Sequence, residues 1–475
     1  MNLERRLAAS SVRRSLRDYS VYFATLAFCA CLLYTYASCS DTITALGSEA
    51  AVASGADTFR RAASFITPLG FFSVVVFCLL ARYANRFLVR RRKHELATLM
   101  LVGLSRGAVA RVLLRECGLV ALMALAAGMG AGVLLSPAFG ALAAWAFALP
   151  WHLTFVVSLP GIALAVSGFF LVMLVSAVGA VRELGRTSLA DLMRADRESE
   201  ASVVRSRGAV ARDFVVGIVC LGLGYAICLT VEFFIILMVP MIVLVCFGTY
   251  LVLRSLATVI GDLLRASRVV YLRDLTCFVS RQLEVHVSAS CSALTCVAAL
   301  LAVGVCALGM AIGIRNAATV ELASVPLEDY AEEVAYLGSF VYIILFFGIT
   351  FLVAGVAVLA LQQLSESSDN REGYAELARL GAGEGLLSRT LFSQVAAYFL
   401  VPGVVVVVHD AVGFVVADAI LTQVFQLPEG SVSFPAVLAS VLVVFVASLV
   451  LASAACRRVV LPRAEKGRAS CTPSR

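Results

Sequence analysis

An all-α, polytopic membrane protein is the fold class this sequence predicts, on three observations. Of its 475 residues, 61% are hydrophobic and 15% charged, where soluble domains average about 45–50% apolar and about 25% charged. Its mean hydropathy is +0.95. Its charges are gathered into clusters separated by uncharged stretches long enough to cross a bilayer, for which about 20 apolar residues suffice.

Ten spans follow from those gaps. Residues 19–40 and 62–81 carry no Asp, Glu, Lys or Arg and form the first two. Residues 117–181 are uncharged throughout and hold two spans, with Pro150, Trp151 and His152 as the turn between them. Residues 214–231 and 233–253 make a hairpin around Glu232, a solvated turn residue. Residues 285–314, 334–365, 390–409 and 430–456 supply the last four. Pro160-Gly161 and Pro402-Gly403 are expected to kink the fourth and ninth spans. The run GMGAG (128–132) reads as a small-residue stripe for close helix packing.

The distribution of Lys and Arg sets the orientation. With ten spans both termini share one side, and all 38 basic residues fall on that side except Arg60, Arg61 and Arg315. The termini are therefore expected in the cytoplasm. The net charge of +7 reflects this topology. It does not point to nucleic acid, since the arginines are spread over six loops. The first apolar run lacks a small-residue cleavage site and is expected to remain as an anchor. Of the 14 cysteines, most lie inside apolar stretches, where they behave as small hydrophobes. No CxxC or Cys/His ligand spacing is present, so no metal site is expected. Enzyme chemistry finds no support either: there is no nucleophile elbow and no pair of carboxylates on one helix face.

One segment between spans occurs twice. RRRKHELATLMLVGLSRGAVARVLLRE (90–116) has an echo in SSDNREGYAELARLGAGEGLLSRTLFSQ (367–394). A single offset aligns Ala97 with Ala375, Leu99 with Leu377, Gly103 with Gly381, Gly107 with Gly385 and Arg111 with Arg389, and sets Lys93 against Arg371. Internal repeats are common in transporters. The repeat predicts two four-helix units joined by the two-helix hairpin: 1–200 the first unit, 201–260 the hairpin, 261–475 the second unit. Within the first copy, Leu96, Leu99 and Met100 recur at helical spacing. Gly103 suits a C-cap with φ > 0, and Ser105 can cap the helix that follows. Two readings of this short helix fit. It either lies on the membrane surface as an anchor, or forms one of two docking surfaces for a partner.

The 90–116 stretch resembles the cytoplasmic segment of FtsX-like/MacB-like ABC transporter permeases, in which a basic, Glu-containing helix stops at a glycine before the next span. The ten-span layout is closest to the bacitracin-resistance type. VYIILFFGITFLVAGVAVLALQQLSESSDNREGYAELARLG (341–381) resembles that subfamily's eighth helix and the loop after it. The resemblance implies a bacterial cytoplasmic-membrane subunit, not itself an enzyme, driven by separate ABC ATPase subunits. The short helices would act as coupling helices: Arg92, Glu95, Leu99, Met100 and Gly103 would dock one ATPase subunit, and Arg371, Glu372, Tyr374, Leu377 and Gly381 the other. Two such sites suit an ATPase homodimer. ATP and Mg would be held by that partner, with no cofactor on this chain; no G-x-x-x-x-G-K-[ST] loop occurs here. The implied activity is export, or removal from the membrane, of a hydrophobic or amphipathic molecule such as an antimicrobial peptide or lipid. Lipid and a sensor histidine kinase are further implied partners.

The sequence departs from that subfamily in one respect. Its connection between the seventh and eighth spans, RNAATVELASVPLEDYAEEVAYLG, is too short to fold into the subfamily's large extracellular domain. Beside the permease reading stand two others. One is a signalling or mechanotransmitting protein that relays ATPase state without transport. The other is a proton-coupled secondary transporter built around the intramembrane pair His409 and Asp410, although a position near the outer surface would let Asp410 reach water.

Overall fold

In the computed structural model the chain is helical, with no strand among the described residues. Those residues are 16–39, 41–42, 77, 81, 85, 88–89, 93–147, 151, 153, 155, 157–186, 206–230, 236–266, 271, 275–321, 330–423, 430 and 434–460. The helices in chain order are α1 (Leu16–Ala37), α2 (Lys93–Leu101), α3 (Arg106–Ala146), α4 (Leu159–Arg186), α5 (Arg207–Leu229) and α6 (Met238–Ala266). They continue with α7 (Thr276–Glu321), α8 (Tyr330–Asp369), α9 (Arg371–Arg379), α10 (Glu384–Gln423) and α11 (Phe434–Val460).

Eight of these, α3 to α8, α10 and α11, are long and apolar enough to cross a membrane. The first expected span coincides with α1, whose apolar part runs over Tyr22–Ala37. The expected second span, 62–81, lies outside the described residues apart from Phe77 and Ala81. At 41 and 40 residues, α3 and α10 are each about 60 Å long, roughly twice the hydrocarbon thickness. Each begins in a polar turn next to a short helix and only then becomes apolar.

The prolines act differently from expectation. Pro160 is the second residue of α4, where a missing N–H breaks no helical bond, so it starts the helix rather than kinking it. Gly161 N–H donates to Ser158 Oγ at 2.8 Å, closing that helix end. Pro402 does lie within α10. A further proline, Pro137, lies inside α3 and frees the carbonyl of Val133. The neighbouring Ser136 hydroxyl donates to that oxygen at 2.8 Å, the kind of local repair that makes an interior proline tolerable in lipid.

The chain forms two compact units, one of residues 1–201 with 315–344, the other of 202–314 with 345–475. In the first, α1 packs on α3 and α4. The glycines of GMGAG carry the contact: a Cβ on Gly132 would lie 2.7 Å from Tyr34 Cδ1, and one on Gly128 would collide with Ala27 O and Ala30 Cβ. Gly130, between them, faces open space. Buried Asn85 donates to Ser176 Oγ on α4 and accepts from Cys117 Sγ on α3 at 3.9 Å. Arg315 donates to Trp145 O at 3.0 Å and lies over that indole ring.

In the second unit, α5 and α6 meet at reciprocal glycines: a Cβ on Gly217 would lie 3.1 Å from Gly248 O, and one on Gly248 2.9 Å from Gly217 O. The α7–α8 contact is built alike, Gly304 against Leu352 N at 2.9 Å and Gly348 against Gly304 O at 3.1 Å. Apolar solvent gives helices no hydrophobic reason to associate, so close backbone approach supplies the attraction. Rings lock α10 to α11, with Phe414–Phe434 centroids at 4.6 Å and Phe399–Phe445 at 5.5 Å.

Gly132→Leu is expected to lower the stability of the detergent-solubilised protein by about 1–3 kcal/mol, the usual cost of overpacking. Gly130→Leu should stay within about 0.5 kcal/mol of wild type. Thermal unfolding of both variants checks this; equal effects would contradict the helix contact.

Candidate functional site

The two short helices end in the same way. At α2, Gly103 has φ 103°; its N–H donates to Met100 O at 3.1 Å, and Leu104 N–H reaches back to Leu99 O at 3.2 Å. At α9, Gly381 has φ 95°; its N–H donates to Ala378 O at 3.1 Å, and Ala382 N–H reaches Leu377 O at 3.0 Å. This paired pattern is the Schellman motif, which needs a left-handed residue that glycine supplies without strain. Ser105 then caps α3, its hydroxyl accepting from Ala108 N–H at 3.3 Å. Helix α10 starts from the Gly383 carbonyl instead.

Each short helix has a buried side and an open tip. On α2, Leu96 and Ala97 are buried against the chain itself, Leu99 and Met100 are half-buried, and Glu95 is exposed. Arg92 lies outside the described residues. On α9, Arg371 and Glu372 are exposed and Leu377 is half-buried. Tyr374, expected to face a partner, is instead 1% exposed. Its ring packs edge-on against Phe278 at 5.5 Å, and its hydroxyl donates to Gln394 Oε1 on α10 at 2.8 Å. Burial pushes the phenol above its ordinary range, with Cys456 adding to the effect, so Tyr374 keeps the proton it donates. It seats the helix and presents nothing outward. Asn370, just before α9, donates to Gln282 Oε1 on α7 at 3.1 Å. Behind the seat, Tyr398 accepts from Gln362 and donates to Glu366 at 2.9 Å, tying α8 to α10.

At the tips, the residue directly before each left-handed glycine is apolar and open: Val102 is 76% exposed and Leu380 85%. Val102 and Leu380 correspond under the repeat offset; Leu380 shares the apolar stripe of the second copy with Leu377, but neither residue stood among those the resemblance implied for docking. The signal was present, since an apolar residue immediately before a stop glycine has no helix turn left to cover it.

The intramembrane pair is also resolved, on α10. His409 Nδ1 lies 2.5 Å from Tyr225 Oη on α5 and its Nε2 3.0 Å from Thr249 Oγ1 on α6. Asp410 is 0% exposed, contrary to the expectation that it reaches water; one carboxyl oxygen accepts from Cys306 Sγ on α7 at 3.3 Å. None of Tyr225, Thr249 or Cys306 was marked by its sequence neighbourhood. Among the described residues no group of three or more His, Cys, Asp or Glu stands together to hold a metal.

Eight helices long and apolar enough to cross a membrane, with a glycine-stopped short helix before α3 and another before α10, define a multi-pass membrane protein. Residues 68–189, which take in α2, Gly103, α3 and α4, match the model of the FtsX-like permease C-terminal family. It is also similar to the "Uncharacterized ABC transporter permease YvcS" of Bacillus subtilis (strain 168), with 25% identity over 256 residues. That alignment takes in 53% of this chain and 37% of the relative, so the chain spans little more than a third of that protein's length.

Tyr374→Phe leaves Gln394 short of a donor and is expected to loosen α9 by about 1 kcal/mol. Gly381→Val forces a branched residue into left-handed backbone, at roughly 1–2 kcal/mol or more. Amide exchange over 371–383 should speed several-fold in the first variant and about tenfold in the second. Exchange at wild-type rates in both would show that neither contact holds the helix.

Proposed function

We propose that this chain is the membrane permease subunit of an ABC transporter, with α2 and α9 as the helices through which a separate ATPase drives it. The observation that carries this reading is the matched pair of Schellman stops with an exposed apolar tip, Val102 on one and Leu380 on the other. Each tip follows a helix whose inner face is held by its own chain, so a push on the tip is delivered to the long helix that follows. The FtsX-like match over 68–189 supports it, as does the name of the YvcS relative. Exposed Glu95, Arg371 and Glu372 would frame the tips with charge that selects a partner's orientation.

On this reading two equivalent tips take two ATPase subunits, a homodimer that binds ATP and Mg. The basic loops and both termini face the cytoplasm of a bacterial cell. The cargo is hydrophobic or amphipathic, an antimicrobial peptide or lipid met at the helices, since the loop between the seventh and eighth spans is short. A sensor histidine kinase would be an additional partner.

The test is purification from the native host with mass spectrometry of the accompanying proteins. An ABC ATPase is expected with wild type and should fall at least about tenfold in a Val102→Asp/Leu380→Asp double variant, because truncating interface anchors typically costs over 1 kcal/mol each. Both positions are exposed, so the fold should survive. An ATPase retained equally by the variant would remove these tips from the interface, and none with either protein would sink the permease reading.

A further inference from the structure

The carboxyl of Asp410 is enclosed by α10 and α7 at a point where the two helices cannot be held apart by side chains. A Cβ on Gly413 would collide with Cys306 Sγ, and one on Gly309 would come within 2.5 Å of the Phe414 ring. Between these contacts Asp410 Oδ1 accepts from the Cys306 thiol at 3.3 Å. Its Oδ2 has no hydrogen-bond partner among the described residues. A thiol is a weak donor and offsets little of the cost of burying a negative charge.

Among the described residues no neighbouring group supplies the missing positive charge. His409 is the adjacent residue, but both its nitrogens are engaged. Thr249 Oγ1 donates to Val245 O at 2.7 Å, so toward the imidazole it accepts, which puts the ring proton on Nε2. A neutral ring then accepts at Nδ1 from Tyr225 O–H, so both nitrogens are satisfied without a buried positive charge. The titratable groups that meet this region are Cys306 on α7 and, beyond it, Cys228 and Tyr225 on α5, all uncharged as acids. Helix α11 brings no titratable side chain before Cys456 and Arg457. On α6, Arg254 lies over the Tyr250 ring at 5.8 Å and makes no ion pair with Asp410.

We propose that Asp410 is a proton-binding site that latches α10 to α7. In the packed state the carboxyl is neutral: Oδ2 carries the proton and Oδ1 accepts from Cys306. When the two helices part and water enters, the Oδ2–H bond breaks, the proton passes to water and the carboxylate is hydrated. Repacking takes a proton back. The packed state therefore binds the proton more tightly, so acid favours it and alkali favours the parted one. This holds whatever molecule the permease moves and whichever partner drives it.

The test is infrared spectroscopy of the full chain in lipid nanodiscs at neutral pH. Wild type should show a protonated-carboxyl carbonyl band that shifts on deuteration and again when the protein is made with carboxyl-labelled aspartate. Asp410→Asn, an isostere that can still accept from Cys306, should lose that band. Cys306→Ala should shift it without reducing its amplitude. Should the Asn variant fail to fold, Asp410→Glu decides the matter: the acid band should then leave the aspartate label, and a band that keeps it would overturn the proposal. Carboxylate stretches in place of the acid band, or a band indifferent to aspartate labelling, would overturn the proposal.

Discussion

Lipid offers the backbone no hydrogen bonds, and the rest of this structure depends on that constraint. Every peptide group in the apolar stretches must find its partner inside the chain, so the spans are helices. Where the helix pattern fails, a side chain takes over, as Ser136 does for the carbonyl freed by Pro137. Between helices the same solvent withholds the hydrophobic drive, and contact is won by close approach. Hence the glycines at 128 and 132 against α1, and the reciprocal pairs 217/248 and 304/348. Each removes a Cβ where two backbones would otherwise be held apart.

Polar side chains in such a bundle are few and consequently informative. Those that seat the short helix α9 are Phe278 and Gln282 from α7 and Gln394 from α10, while Gln362 and Glu366 from α8 meet Tyr398 of α10 separately. Tyr374 and Asn370 plug into that seat, which leaves the opposite side of α9 and its apolar tip free. Deeper in the bundle, His409 and Asp410 divide their attention. One ties α10 to the hairpin α5–α6 through two hydroxyls, the other ties it to α7 through a thiol. Adjacent residues on one helix point roughly 100° apart, which is why a two-residue polar step can serve two different neighbours.

Much of this was legible in the chain before folding. The spans follow from charge spacing, and nine of the described helices, α1 among them, coincide with expected ones. Gly103 and Gly381 were readable as left-handed stops because each ends an apolar helical pattern just where charge gives way to the next span, and both adopt positive φ. GMGAG was readable as a packing stripe, though not that its middle glycine is idle. Tyr374 was placed among the docking residues by resemblance alone, and a position matched to a family does not say whether its side chain faces the chain's own helices, as it does here, or a partner. Pro160 was misjudged because its effect depends on where the helix starts, which Ser158 determines.

The sequence by itself determined that the chain is a set of membrane helices, where they run, and where the short helices between them stop. These are local properties: hydropathy over about 20 residues, and the left-handed freedom of glycine. Tertiary structure alone decided which polar side chains meet. Tyr225, Thr249, Cys306 and Asp410 come from four helices far apart in sequence, and nothing in the flanking residues of any one of them marks the others. It also decided that Asp410 is sealed from water and that Val102 and Leu380 are open to it, because exposure belongs to the neighbours a residue acquires and not to the residue.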